Sequence, residues 1–166
     1  MSKPAKNLSE KHREFVPLIA AIEKVEASVG EESPKLVRLS AESLHESLAH
    51  GLMPHAVGEG RTVFPVLRKI TGTGEQALAM NRQHQEIARL TDKLERVSAE
   101  LAKAGVSQER ELRRLLHDLR GAVQEHFEGE EEACFSVLKA ELDPDEARAL
   151  CEAMERASEE IRKLYE

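Results

Sequence analysis

The chain has 166 residues, of which 40% are apolar and 33% charged, with a net charge of −7, no Trp, one Tyr and four Phe. That length suits one domain with a real core, while the negative charge opposes nucleic acid and the scarcity of rings leaves no stacking platform for bases. Two cysteines, Cys134 and Cys151, cannot make a disulfide framework; with no apolar h-region at the N-terminus and no 18-residue apolar run, the expectation is a soluble, cytoplasmic chain with no membrane partner.

Ala, Leu, Glu, Arg and Lys dominate and no strand-like alternation is present, so the prediction is all-α. The first helix opens after Ser9 and stops at Gly30, with Phe15, Leu18, Ile19, Ile22 and Val25 on its apolar face. Ser33-Pro34 supplies an N-cap with Pro at the first helical position, and the second helix runs to about Ile70, ending at Gly72. Thr73 through Gln76 reads as a capping box opening the third helix, which reaches Gly105. Ser107 with Glu109 opens the fourth, to about Leu142, and the box Asp143-Pro144-Asp145-Glu146 starts a shorter fifth. Short connections between long helices predict an up-down-up-down four-helix bundle over about 8–142 with an additional C-terminal helix over about 144–165, all within a single domain spanning 1–166. Pro17 interrupts the first helix, and Pro54 requires the second to kink there or to break between Ala49 and Pro54.

A pattern occurs twice. His55-Ala-Val-Gly58-Glu59 continues to Phe64, Val66 and Leu67; His126-Phe-Glu-Gly129-Glu130 continues to Phe135, Val137 and Leu138, 71 residues later. A shorter pair, His12 with Glu14 and Leu18, and His84 with Glu86 and Leu90, repeats at an offset of 72. A fixed offset signals a duplicated structural unit. Residues four apart share one helix face, so His55 projects with Glu59, and His126 with Glu130. Polar pairs on a core-facing stripe are costly unless something compensates them. The four helices then bring His12, His55 with Glu59, His84, and His126 with Glu130 to one layer. That makes two sets of two imidazoles and one carboxylate, as a dinuclear metal site requires. Two ferrous ions offset by two glutamates leave about two positive charges beside neutral imidazoles. Such a site favours oxide, hydroxide, peroxide and the polarised products of oxygen and nitric oxide.

At these residues the chain resembles the hemerythrin-like (HHE cation-binding) family, in particular the branch with the order H…HxxxE…H…HxxxE, over about residues 8–142 and including Phe64-Pro65-x-Leu67. The resemblance implies a four-helix bundle with a non-haem di-iron centre, two iron ions bridged by carboxylates and by an oxo or hydroxo group. Carried over by position, the metal ligands are His12, His55, Glu59, His84, His126 and Glu130. Oxygen-carrying members have an HxxxH pair on the third helix and HxxxxD on the fourth. Here the positions four from His84 are Met80 and Ala88, and only Glu131 in place of Glu130 would give the longer spacing. Reversible oxygen carriage therefore loses ground to chemistry at two similar irons. The expected function is disproportionation of hydrogen peroxide in oxidative or nitrosative stress defence. The alternatives are oxygen, nitric oxide or iron sensing without catalysis, and repair of iron centres by iron donation. Small diatomic or peroxide ligands are the implied partners, with a second copy or a protein partner meeting the C-terminal helix.

Several neighbours allow two readings. Gly58 and Gly129 serve either close helix packing or space for a ligand. Glu128, Glu131 and Glu132 form a solvated face, or attract ferrous iron and orient imidazoles. His117 and His45 fall off the layer, and His50 does too unless the Pro54 interruption gives it a gating or proton-transfer role. Cys134, Phe64, Phe127 and Phe135 read as core, and Tyr165 as part of a mobile terminus.

Overall fold

The computed structural model describes residues 7–101 and 106–166, and among them every regular element is helical. The elements are α1 (Leu8–Arg13), α2 (Pro17–Ser28), α3 (Pro34–Ser47), α4 (Met53–Thr71), α5 (Glu75–Glu100), α6 (Val106–Glu130), α7 (Ser136–Glu141) and α8 (Pro144–Arg162). Joined end to end where the chain runs on, they make the four rods of a bundle (α1–α2, α3–α4, α5, α6–α7) and an additional C-terminal helix, α8.

Local chemistry sets most ends. Asn7, not Ser9, begins the first helix: its side chain accepts from the Glu10 N–H at 2.9 Å, and Glu10 accepts from the Asn7 N–H at 3.2 Å. Pro17 divides α1 from α2 as expected, and Gly30 turns the chain with φ +84°. Ser33 caps α3, and the Asp143–Glu146 box caps α8. The expected box at Thr73 is not formed. The helix starts one residue later, with Gly74, which has no side chain to cap with, at the N-cap of α5, and the Thr73 N–H goes to Thr71 Oγ1 at 3.4 Å. The predicted end at Gly105 lies outside the described residues, and Ser107 falls inside the first turn of α6.

At Pro54 the expected kink or break takes the form of a π-helical segment, Leu48–Leu52, in which the Met53 N–H reaches back to Leu48 O. The inserted width leaves Pro54 in the first turn of α4, where a missing N–H is tolerated. A second π-helical segment, Glu131–Phe135, follows Glu130 directly with no proline to announce it.

Two apolar clusters fill the bundle. One gathers Ile22, Leu44, Leu52, Ile87, Leu116 and Val123; the other gathers Leu8, Val63, Phe64, Met80, Cys134 and Met154. On α4, α5 and α6 the candidate site residues sit between the segments that feed one cluster and the other. The helix α8 lays Leu150, Cys151, Met154, Ala157, Ser158 and Ile161 inward, and packs chiefly on α4.

Candidate metal centre

The fold brings all six predicted residues together. His12, His55, Glu59, His84, His126 and Glu130 are all buried, His84 being the most exposed at 9%. His84 and His126 face each other with Nε2 atoms 3.0 Å apart, while the rings of His12 and His55 stack at 6.3 Å. Each carboxylate spans both pairs. Glu59 places Oε1 2.9 Å from His55 Nε2 and Oε2 3.4 Å from His84 Nε2. Glu130 places Oε2 2.9 Å from His12 Nε2 and 3.2 Å from His126 Nε2. Each imidazole pair comes from one copy of the repeat, so the duplication exchanges the pairs.

These atoms are close without being satisfied. His12 Nε2, His55 Nε2 and all four carboxylate oxygens of Glu59 and Glu130 are buried and lack a hydrogen bond. Orphaned polar atoms on this scale are rare in folded proteins and expensive. A cation at their centre would satisfy them together, and donor atoms of Glu59, His84, His126 and Glu130 already lie within 4.8 Å of one another. Imidazole nitrogen with carboxylate oxygen is a donor set for iron, manganese or zinc rather than for a soft thiophilic ion.

The electrostatics agree. Burial works against charge on His55, but Glu59, and more weakly Glu130, outweigh it and raise its pKa above the ordinary value. Burial likewise works against ionised Glu59, yet His55 and His84 hold that carboxyl well below the usual range. Burial, with the charges of Glu130 and Glu59, pushes the Cys134 thiol up to about 12. That cysteine is therefore an inert member of the core, as expected.

Aromatic rings wall the cluster. Phe127 and Phe135 present to His12 edge-on at 4.5 and 5.2 Å, Phe15 lies 4.7 Å from His55, and Phe64 stacks on His84 at 5.5 Å. The outer ring nitrogens find two supports. His126 Nδ1–H donates to Gln83 Oε1 at 3.1 Å, and His12 Nδ1 faces Glu131 Oε1 at 3.5 Å, whose other oxygen accepts from Ser9 Oγ at 3.0 Å. Gln83 and Ser9 escaped sequence reasoning, since neither belongs to the repeated pattern. Glu131 sits behind His12, so the inward carboxylate is Glu130.

The paired glycines do different work. A Cβ on Gly58 would stand 2.3 Å from Ser158 Oγ and 2.8 Å from Met154 O, so this position admits α8; a Cβ on Gly129 would meet only Met80 Cε at 3.6 Å. His117 is exposed and pairs with Glu26 and Arg120. His50 lies outside the cluster, tied to Glu46 at 2.7 Å, with the Tyr165 ring 5.5 Å away.

Imidazoles and carboxylates gathered in one buried layer of a helical bundle define the chain as a bundle protein with a potential metal site. The comparison with protein families places it more narrowly. The chain belongs to the hemerythrin family, matching the hemerythrin HHE cation binding domain over residues 3–131 and again over 79–166. The second range holds His84 and His126-x-x-x-Glu130, the later copy of the repeat. Comparisons with curated proteins and with solved structures found no match. Among the described residues no helix is long and apolar enough to cross a membrane.

Proposed function

We propose that this chain is a di-iron protein that disproportionates hydrogen peroxide in defence against oxidative or nitrosative stress. His12, His55, Glu59, His84, His126 and Glu130 would hold the two irons, with room for an oxo or hydroxo group between them. When bound, a pair of irons supplies a two-electron couple, so that one peroxide is reduced to two waters while a second is oxidised to dioxygen. The two protons consumed in the first half are released in the second, so the cycle needs no external reductant.

The observation that carries this reading is the balance of the inner ligands: two imidazoles on each side and both carboxylates shared. Met80 and Ala88 stand where an oxygen carrier would add a third imidazole beside His84. Ala88 carries no donor atom, and Met80 offers only a soft thioether beside imidazoles and carboxylates. Glu59 and Glu130 hold the two sites within one carboxylate of each other, and the rings of Phe15, Phe64, Phe127 and Phe135 keep bulk water off the inner nitrogens.

The test is dioxygen evolution after adding peroxide to the iron-loaded protein, measured with an oxygen electrode. Evolution lost in Glu59→Ala and His126→Ala supports the proposal. Turnover that survives both substitutions overturns it, and a stable, reversible oxygenated spectrum would favour carriage instead.

A further inference from the structure

The duplication that makes the inner ligands equivalent fails in the layer just outside them. With His12 superposed on His84 by the repeat, Glu131 corresponds to Gly60, Phe127 to Ala56, and Ser9 to Asn81. Around His12 the larger member of the first two exchanges, Glu131 and Phe127, is present. The Phe127 ring closes on the imidazole at 4.5 Å, and Glu131, steadied by Ser9, sits 3.5 Å behind Nδ1. Around His84 the smaller Ala56 and Gly60 leave space, and with Asn81 they line a cavity of about 750 Å³ that also touches His84. A carboxylate behind a ligating imidazole fixes the ring and makes its inner nitrogen a stronger donor. Solvent in an open cavity does neither as well.

We infer that the two metal positions differ in affinity, the His12–His55 position holding the first, tight ion and the His84–His126 position the second, exchangeable one, with Glu131 as the positioning residue that sets the difference. This rests on the reading of the six inner residues as ligands of two metals. Glu131 touches no metal position itself; it acts through His12. Gln83 gives His126 a neutral support, so the weaker position keeps an oriented ring, but among the described residues neither imidazole pairs with a carboxylate other than the inner Glu59 and Glu130.

Three variants, at two positions, probe the inference from opposite sides. Glu131→Ala removes the carboxylate, and Glu131→Gln keeps an acceptor without the charge. Gly60→Glu places a carboxylate on the empty side of His84. Its Cβ meets nothing closer than Asn81 Oδ1 at 3.6 Å, so the side chain has room. Metal uptake is followed by titrating the chelated protein with Co(II) alone and recording its visible absorption bands. The expected native result is two resolved steps. Glu131→Ala weakens the first step about 10- to 100-fold, Glu131→Gln weakens it less, and Gly60→Glu tightens the second. Two ions bound with both steps unmoved by these variants, or moved equally, overturn the inference while leaving the dinuclear reading intact. No uptake by the native chain overturns both. Thermal melts of the chelated variants that match the native chain show that folding is not the cause.

Discussion

The matched glycines offer a test in which one substitution at two repeat-equivalent positions has opposite signs. Replacing Gly58 by Ala puts a methyl 2.3 Å from Ser158 Oγ, 2.8 Å from Met154 O and 3.2 Å from Ser158 N. The hydroxyl can rotate away, but the other two atoms are α8 backbone, so relief requires moving α8 off α4. Overpacking of this kind costs about 1–3 kcal/mol, and a backbone clash belongs at the upper end. Ala for Gly in a helix returns about 1 kcal/mol, leaving a net loss of about 2 kcal/mol. At about 2–4 °C per kcal/mol for a chain of this size, Gly58→Ala lowers Tm by about 4–8 °C. At Gly129 the new methyl meets only Met80 Cε at 3.6 Å, an ordinary contact. There the helix gain stands alone, and Gly129→Ala raises Tm by about 2–4 °C. Circular dichroism melts of the chelated proteins measure both, with ligand effects at Glu59 and Glu130 removed. Two shifts of the same sign would refute the assignment of Gly58 to the α4–α8 contact.

Glu59→Ala should bring iron content below two per chain by elemental analysis, whereas exposed His117→Ala should leave it unchanged; full iron content in Glu59→Ala would remove that carboxylate from the ligand set. For pH, His55 sits above its ordinary 6.5, so its pairing stabilises the chelated protein fully below that value and is lost as pH rises through the raised one. Glu59 sits below its ordinary 4.5, so its contribution is present above that value and is lost as pH falls through the depressed one. The chelated protein therefore gains most from this pair in mildly acid solution. Cation binding requires neutral His55, so affinity should fall as the solution is acidified through the raised His55 value. An isotherm unchanged between mildly acid and neutral buffer would contradict the assignment of His55. Cys134, with its thiol near 12 and fully buried, should resist alkylation at pH 8 until the chain is denatured; rapid labelling of the native protein, located by mass spectrometry, would mean that the core around Glu130 opens.

The grouping of four inner residues was legible because each copy of H-x-x-G-E puts its His and Glu four apart on one helix face, and the shorter repeat at an offset of 72 added His12 and His84. The repeat also matches Glu130, not Glu131, to Glu59 four residues after its histidine, and it is Glu130 that lies buried between His12 and His126. What stayed hidden depends on contacts between segments far apart in sequence. Ser9 meets Glu131 across 122 positions, and Gln83 meets His126 across 43. The start of α5 falls one residue past Thr73, at a glycine that cannot cap, and the π-helical segment at Glu131–Phe135 has no breaker residue to mark it. Gly58 and Gly129 look alike in sequence and differ only in what approaches them from another helix.

That last difference identifies a physical source of the broken symmetry. A duplicated hairpin can make a twofold bundle of four rods, but a fifth helix can cover only one of its halves. Here α8 covers α4, which carries His55 and Glu59, and leaves the equivalent face of α6 to other neighbours. Gly58 must stay bare to admit Ser158, while Gly129 meets only a flexible methionine. Lys11, the repeat counterpart of Gln83, cannot accept from an imidazole N–H; it reaches Glu155 of α8 at 2.5 Å, beside a cavity that touches His55. The six inner residues remain paired across the repeat, whereas the residues behind them answer to different neighbours. A pair of ions bound as proposed would therefore meet equivalent donors in unequal surroundings.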